Sequence, residues 1–277
     1  MEQKTIDCQG KKLSFRHQGQ GPAVVLLHGF GEDGSVWARQ YPAFKGKRLL
    51  IPDLPGSGGS ELGEDLSMEG LAASLRNFLD QLHIPACTLI GHSMGGYVAL
   101  AFAEKYPDRL NGLGLFHSTA YADSEEKKQA RRKGITFIHE HGPFEFLKTS
   151  IPNLYSPVTR DERPGLVQEQ ITAASGFTAT ALAGYYEGMI ARPDRTAVLR
   201  ETSLPVLFVL GRHDVAVPLK DGLEQCHIPA WAQVCLLERS GHMGMQEEPE
   251  KANASLMAYV YLNKYNIQVD GRKAIEP

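Results

Sequence analysis

The residues Gly91-His92-Ser93-Met94-Gly95, with Gly96 behind them, set a serine between glycines directly after an apolar run, 88–90, and directly before a helix-like stretch. A serine placed this way can be a nucleophile. The turn has to be tight, a Cβ at Gly91 or Gly95 would collide with nearby backbone, and the hydroxyl is pushed above the strand ends. The helix that follows aims its first N–H groups at a carbonyl where negative charge develops. A serine hydroxyl also needs a base. Among 10 histidines, His242 has the fitting setting, Ser240-Gly241-His242-Met243-Gly244, in a loop after the apolar run 234–237 and far downstream of the serine. The acid that holds its tautomer is expected between the two. Asp214 ends Gly211-Arg212-His213-Asp214 after the run 206–210, and Asp123 is the alternative. His28-Gly29-Phe30-Gly31 follows Ala23–Leu27, so the Phe30 N–H is expected to join the Met94 N–H in an oxyanion hole, with His28 bracing the loop backbone.

Other reactive side chains offer less. His92 fills the variable position of the serine turn. His139 and His141 flank Glu140 without the i, i+4 spacing of a helical zinc site. The glycine-rich stretch 53–60 lacks the phosphate-loop lysine and opens no helix, so it reads as a structural turn. Cys8, Cys87, Cys226 and Cys235 have no metal or redox spacing, and Cys87 and Cys235 fall in strand-like runs as expected buried thiols.

Strand-like runs alternate with helix-like ones, which predicts an α/β fold with a mostly parallel sheet and helices on both faces. Residues 4–7 and 13–17 read as a hairpin. Runs at 23–27, 48–52, 88–90, 113–116, 206–210 and 234–237 lack alternation, as strands buried on both faces do. Leu71, Leu75, Phe78, Leu79 and Leu82 predict a helix capped by Ser67; 95–106 predicts another, ended by Pro107; Ala252, Leu256 and Val260 mark a last helix from Pro249. The stretch 119–202 is helical in period and breaks the rhythm, so residues 1–118 and 203–277 are expected to form the core and 119–202 an insertion over one end of the sheet. Its charged run, 125–133, reads as a solvated helix face. The tail after Lys264 is expected to be loosely held.

The bulk of the sequence agrees. The 277 residues are 42% hydrophobic and 22% charged, with a formal net charge of -3, so neither disorder nor a nucleic-acid partner is expected. No signal-like N-terminus or membrane-length apolar run is present, which predicts a cytoplasmic location and no membrane partner. The oligomeric state, monomer or homodimer, is not encoded in any pattern.

Taken in order, the motifs at 28–31, 53–60, 91–96, 211–214 and 241–242 resemble the α/β-hydrolase superfamily from about Lys12 to Leu262. The resemblance implies an eight-stranded mostly parallel sheet, a helical cap at 119–202, Ser93, Asp214 and His242 as a triad, and no metal or organic cofactor. Within the superfamily the chain is similar to capped small-molecule hydrolases. Ser93 argues against dehalogenases and epoxide hydrolases, which use an aspartate there. A small, largely apolar ester, thioester or lactone is the expected substrate. A carbon–carbon hydrolase or lyase, a cofactor-free perhydrolase and a hydrolase-like receptor are the alternatives. An iminopeptidase would use cap acids, for which Glu162, Glu169 and Glu187 are available, though as surface residues by default. Candidates for the pocket are Tyr121, Phe144, Phe146, Tyr185, Met189, Val215 and Met243, with Phe137 and Tyr186 as further cap aromatics.

Overall fold

Unbroken apolar runs become strands covered on both faces. In the computed structural model, which describes residues 1–264, every residue of β3 (Ala23–Leu27), β5 (Cys87–His92) and β7 (Val206–Gly211) is buried. Only Asn111 of β6 (Leu110–Phe116) is exposed. With β1 (Glu2–Cys8), β2 (Lys11–Gln18), β4 (Arg48–Pro52) and β8 (Ala232–Leu237) they form one eight-stranded sheet in the order β1-β2-β4-β3-β5-β6-β7-β8. β1 and β2 pair antiparallel as a hairpin, β2 is antiparallel to β4, and all other pairs are parallel.

One strand departs from the sequence reading. β8 is half-exposed, with Val234 at 46% and Cys235 only partly buried. It is the last strand of the sheet, with a neighbour on one side alone. An apolar run does not distinguish such an edge from the centre. Cys87, on central β5, is buried as expected.

The helix α1 (Met68–Gln81) starts at Ser67, whose hydroxyl accepts from Gly70 N at 3.0 Å. α2 (Met94–Lys105) is buried through Ala103 and stops before Pro107. A 3-10 segment at Gly34–Phe44 has no counterpart in the periodicity reading. Between β6 and β7 the chain forms only helices: α3 (Glu125–His141), α4 (Pro143–Ser150), α5 (Pro157–Glu162), α6 (Pro164–Ala173), α7 (Ala179–Ala191) and α8 (Thr196–Glu201), with short 3-10 turns. Side-chain caps at Ser124, Ser156 and Thr178 and prolines opening α4, α5 and α6 give these helices their starts. The rest are α9 (Leu219–Gln225), α10 (Gly244–Glu247) and α11 (Pro249–Lys264).

This helical stretch shares the core. Tyr185, Met189 and Leu199 pack in one cluster with Phe102 and Phe208, and Ile138, Leu147 and Ile151 in another with Trp37 and Val209. The charged run 125–133 is a solvated face only in part. Lys127 and Arg131 turn inward, because Arg131 finds the buried carboxylate of Asp123. The tail after Lys264 lies outside the described residues. Among the described residues no helix is long and apolar enough to cross a membrane.

Candidate active site

Four neighbouring strand ends stay zipped at the carboxyl edge. Ser93 N donates to Phe116 O at 3.0 Å, His117 N to Val209 O at 2.8 Å, Arg212 N to Leu237 O at 3.0 Å and His213 N to Ser240 O at 2.9 Å. Parallel strands finish on one edge, so the residues after β5, β6, β7 and β8 gather there. Ser93 sits at φ 51°, ψ -116°, a left-handed conformation that a side chain adopts only under constraint. A Cβ on Gly91 would overlap the Gly95 carbonyl, and one on Gly95 would lie 2.6 Å from His28 O. Ser118 Oγ donates to Ser93 O at 2.7 Å. Met94 is the first residue of α2, so its N–H is one of the open donors of a helix start. The 28–31 loop lies against this turn: a Cβ on Gly29 would be 3.2 Å from Ser93 Cβ.

Asp214 is the most heavily used carboxylate of the edge. Its Oδ1 accepts from Ala216 N and Val217 N, both at 2.9 Å. Its Oδ2 accepts from His242 Nδ1 at 2.8 Å and His117 Nδ1 at 3.1 Å. A carboxylate takes protons from these nitrogens, so His242 carries its hydrogen on Nδ1 and keeps a lone pair on Nε2. Burial would raise the Asp214 carboxyl, but the facing His242 and the histidine hydrogen bonds outweigh it and hold it below the usual carboxylate range. Burial opposes a charged His242, yet Asp214 beside it raises its pKa. His117 lacks such a net gain, and burial takes it down to about 4, so it stays neutral.

A second buried pair ties three loops together. His92 Nε2 lies 2.9 Å from His242 O, and a carbonyl only accepts, so this nitrogen carries a proton. His92 Nδ1 is 2.9 Å from Glu32 Oε2, which also accepts from Gly29 N at 2.7 Å. Burial would raise Glu32, but His92 and the Gly29 N–H lower it overall. The His242 loop is anchored again by its own backbone. His242 N donates to Leu154 O at 2.6 Å, and Glu247 accepts from Gly241 N at 2.8 Å and Ser156 N at 2.9 Å.

Among the described residues, His117, Asp214 and His242 place donor atoms within 4.8 Å of one another, close enough in principle for a metal. Asp214 Oδ2 already joins both rings, and His117 Nε2 packs so close to Gly244 that a Cβ there would strike it. A cation would have to break these bonds.

The sequence pattern of the alpha/beta hydrolase fold matches residues 22–129. A pimeloyl-acyl-carrier-protein methyl ester esterase of Aeromonas salmonicida is 33% identical over 251 residues, 86% of this chain and 95% of its own. The chain belongs to the α/β-hydrolase fold family. The hydrolase is also 26% identical over 258 residues to 3-oxoadipate enol-lactonase 2 of Acinetobacter baylyi, covering 92% of this chain and 95% of that one. Its fold superposes at a TM-score of 0.89 on a thermophilic esterase from Thermogutta terrifontis solved with malate bound; identity is 30%, with 95% of this chain and 99% of that chain covered.

Of the residues expected at the site of this hydrolase, Ser93, Met94, Phe30, Asp214 and His242 lie on the loops of one edge. Phe146 joins them, 6.3 Å edge-on from the Phe30 ring, and Tyr186 stacks on Phe30 at 4.2 Å. Others lie elsewhere. Tyr185 is closed in the core, its hydroxyl donating to Pro55 O at 2.6 Å and contacting Ser57 Oγ at 2.9 Å. Met189 and Met243 are buried in core packing. Phe144 is at the surface, and Val215, 69% exposed, lines a groove with Asp214 and Arg160. Tyr121 is half-buried, and its carbonyl accepts from Arg192. Asp123 holds Arg131 and Arg192, and His242 Nδ1 is taken by Asp214 instead. Glu162 and Glu169 are exposed in ion pairs with Arg239 and Arg39, and Glu187 is exposed. His28 braces its loop, with Nδ1 donating to Gly29 O at 2.8 Å and Nε2 accepting from Leu54 N at 2.9 Å.

Sequence reasoning misses His117, Glu32 and the role of His92. One signal was present for His117: it directly follows β6, between the strands that end at Ser93 and Asp214. Glu32 and His92 carry no such mark, because their pairing bridges two loops 60 residues apart.

Proposed function

We propose that this hydrolase cleaves a carboxylic ester, thioester or lactone of a small, largely apolar substrate through an acyl-enzyme on Ser93. The observation that carries the reading is the His242 Nδ1–Asp214 Oδ2 bond at the edge where Ser93 stands in its strained turn. That bond leaves His242 Nε2 as the base. The helical stretch 119–202 acts as the cap beneath which substrate binds, with Phe30, Phe146 and Tyr186 as its apolar wall.

Ser93 Oγ attacks the carbonyl carbon while His242 Nε2 takes its proton. The carbonyl oxygen becomes an oxyanion, and the Phe30 and Met94 N–H groups stabilise it by ~3 kcal/mol each. The carbon–oxygen bond of the ester breaks, and the alcohol leaves with the proton from His242. Water then gives a proton to His242 and its oxygen attacks the acyl carbon, and Ser93 regains its proton as the acid departs.

Ser93→Ala tests the reading. The variant should lose both labelling by a fluorophosphonate probe and turnover of activated esters by about 1000-fold or more. Near-wild-type ester turnover in the folded variant overturns it. A parallel panel of vinylogous diketones separates this reading from carbon–carbon bond hydrolysis, and a folded wild type that resists the probe and turns over nothing points to a receptor.

A further inference from the structure

Helix α3 presents Lys127, Arg131, Gly134 and Ile138 on one face, at the i, i+4, i+7, i+11 spacing of a helix stripe. All four face inward. Lys127 Nζ donates to Ala216 O at 3.3 Å, beside Asp214. A Cβ on Gly134 would be 2.7 Å from Tyr186 Cε2, and Ile138 is fully buried. Arg131 grips Asp123 through Nε at 2.6 Å and Nη2 at 3.2 Å. Asp123 also holds Arg192 at 2.9 Å, and Arg192 lies 3.8 Å over the Tyr97 ring, one turn beyond Ser93.

The charges in this cluster do not balance. One carboxylate with no side-chain exposure serves two guanidiniums, and Lys127 meets a carbonyl instead of an acid. Uncompensated cations in a desolvated site are unfavourable unless an anion completes them. Among the described residues nothing bonds to Arg131 Nη1, so one edge of its planar fork is open. The guanidinium carbon lies 5.4 Å from the Tyr186 ring, which stacks on Phe30, the proposed oxyanion donor. Ser93, Phe30, Phe146, Tyr186 and Arg131 are all only partly buried. The contacts run from the serine turn, against which the Gly29–Phe30 loop lies, through the stacked Phe30 and Tyr186 rings to the Arg131 guanidinium.

We infer that Arg131, held by Asp123, binds a carboxylate at the far end of the substrate, so that the substrate is an ester or lactone whose acyl chain ends in an acid, such as a half-ester of a dicarboxylic acid. The methylenes between the two functional groups lie on the Phe30 and Tyr186 rings. The inference rests on the ester-hydrolase reading and narrows its substrate class.

The test compares kcat/KM for mono-p-nitrophenyl glutarate with that for p-nitrophenyl pentanoate, a neutral ester of equal acyl length. A charge-assisted, bidentate contact makes the wild-type ratio about tenfold or more. Arg131→Gln should bring the ratio to near one, Arg131→Lys should leave it between the two, and Arg132→Gln, on the exposed face, should leave it at the wild-type value. Arg131→Lys keeps a cation against Asp123, so it reads the contact even where Arg131→Gln fails to fold. A wild-type ratio near one, or a ratio that survives both Arg131 substitutions, overturns the inference. Should wild type hydrolyse neither ester, the hydrolase reading fails instead. Calorimetric titration with glutarate then decides the carboxylate site alone: binding weakened about tenfold by Arg131→Lys supports it, and equal or absent binding removes it.

Discussion

At the scale of single residues, the unusual feature is a carboxylate shared by two histidines. Asp214 Oδ2 receives His242 and His117 together, and only His242 belongs to the proposed proton transfer. His117 is a positioning residue: it fixes the carboxylate and draws off part of its basicity. His242 must be neutral to act as base, and its pKa is raised from the ordinary 6.5 by Asp214 against the opposing effect of burial. The acid limb of kcat/KM therefore lies above 6.5, with activity rising as pH rises through it. Replacing His117 by Leu removes one donor from Oδ2 and leaves Asp214 a stronger partner for the imidazolium. The acid limb of His117→Leu should move upward, with KM for a neutral ester little altered. An unmoved limb in the folded variant would reduce His117 to packing.

At the scale of elements, the site depends on loops held by one another. The His242 loop meets the neighbouring strand end through Ser240 O, and its further support comes from Leu154 O, His92 and Glu247, so two of its anchors belong to the helical stretch between β6 and β7 and to the serine turn. Glu247→Ala would leave the Gly241 and Ser156 amides buried without their charged acceptor. It should lower stability by about 3 kcal/mol in urea unfolding and reduce kcat more than KM, because the base loses its fixed position. Unchanged kcat would show that Leu154 and His92 suffice. This dependence also explains what the sequence makes legible. Ser93, Asp214 and His242 stand in glycine-flanked loops after apolar strands, and that local pattern places them on one edge. β3, β5, β6 and β7 are equally plain, since burial on both faces removes alternation. β8 looks the same in sequence but lies at an edge, and Gly34–Phe44, with Pro42 inside it, has no helical period to read. Arg131 hides in a run of exposed charges because its partner, Asp123, lies off the helix. Glu32 and His92 are set only by which loops pack together.

At the scale of the whole molecule, the buried groups at the sheet edge tie stability to pH. His117 is neutral when folded, with a pKa of about 4, while in the unfolded chain it titrates near its ordinary 6.5. Between those values the unfolded chain takes up a proton that the folded chain refuses, so stability falls as pH falls across that window. Asp214 and Glu32 act in the same direction lower down. Burial works against their charged forms, but histidine partners and amide donors hold both below the usual carboxylate range, and the stability they supply is lost as pH falls through their folded values. His242 runs the other way: its raised pKa stabilises the fold below 6.5 and that contribution fades as pH rises through the folded value. Two slopes of opposite sign put the stability maximum near neutrality. Thermal unfolding of the wild type should show Tm declining on acidification from about pH 7 to about pH 4. His117→Leu removes this histidine's contribution, and the higher pKa it gives His242 works in the same direction, so its Tm should decline less over the upper part of that range while keeping the steeper loss below it. If both proteins lose Tm in parallel from neutrality downward, the ring at 117 is not kept neutral by the fold, and the hydrogen bond to Asp214 has to be assigned to a charged histidine.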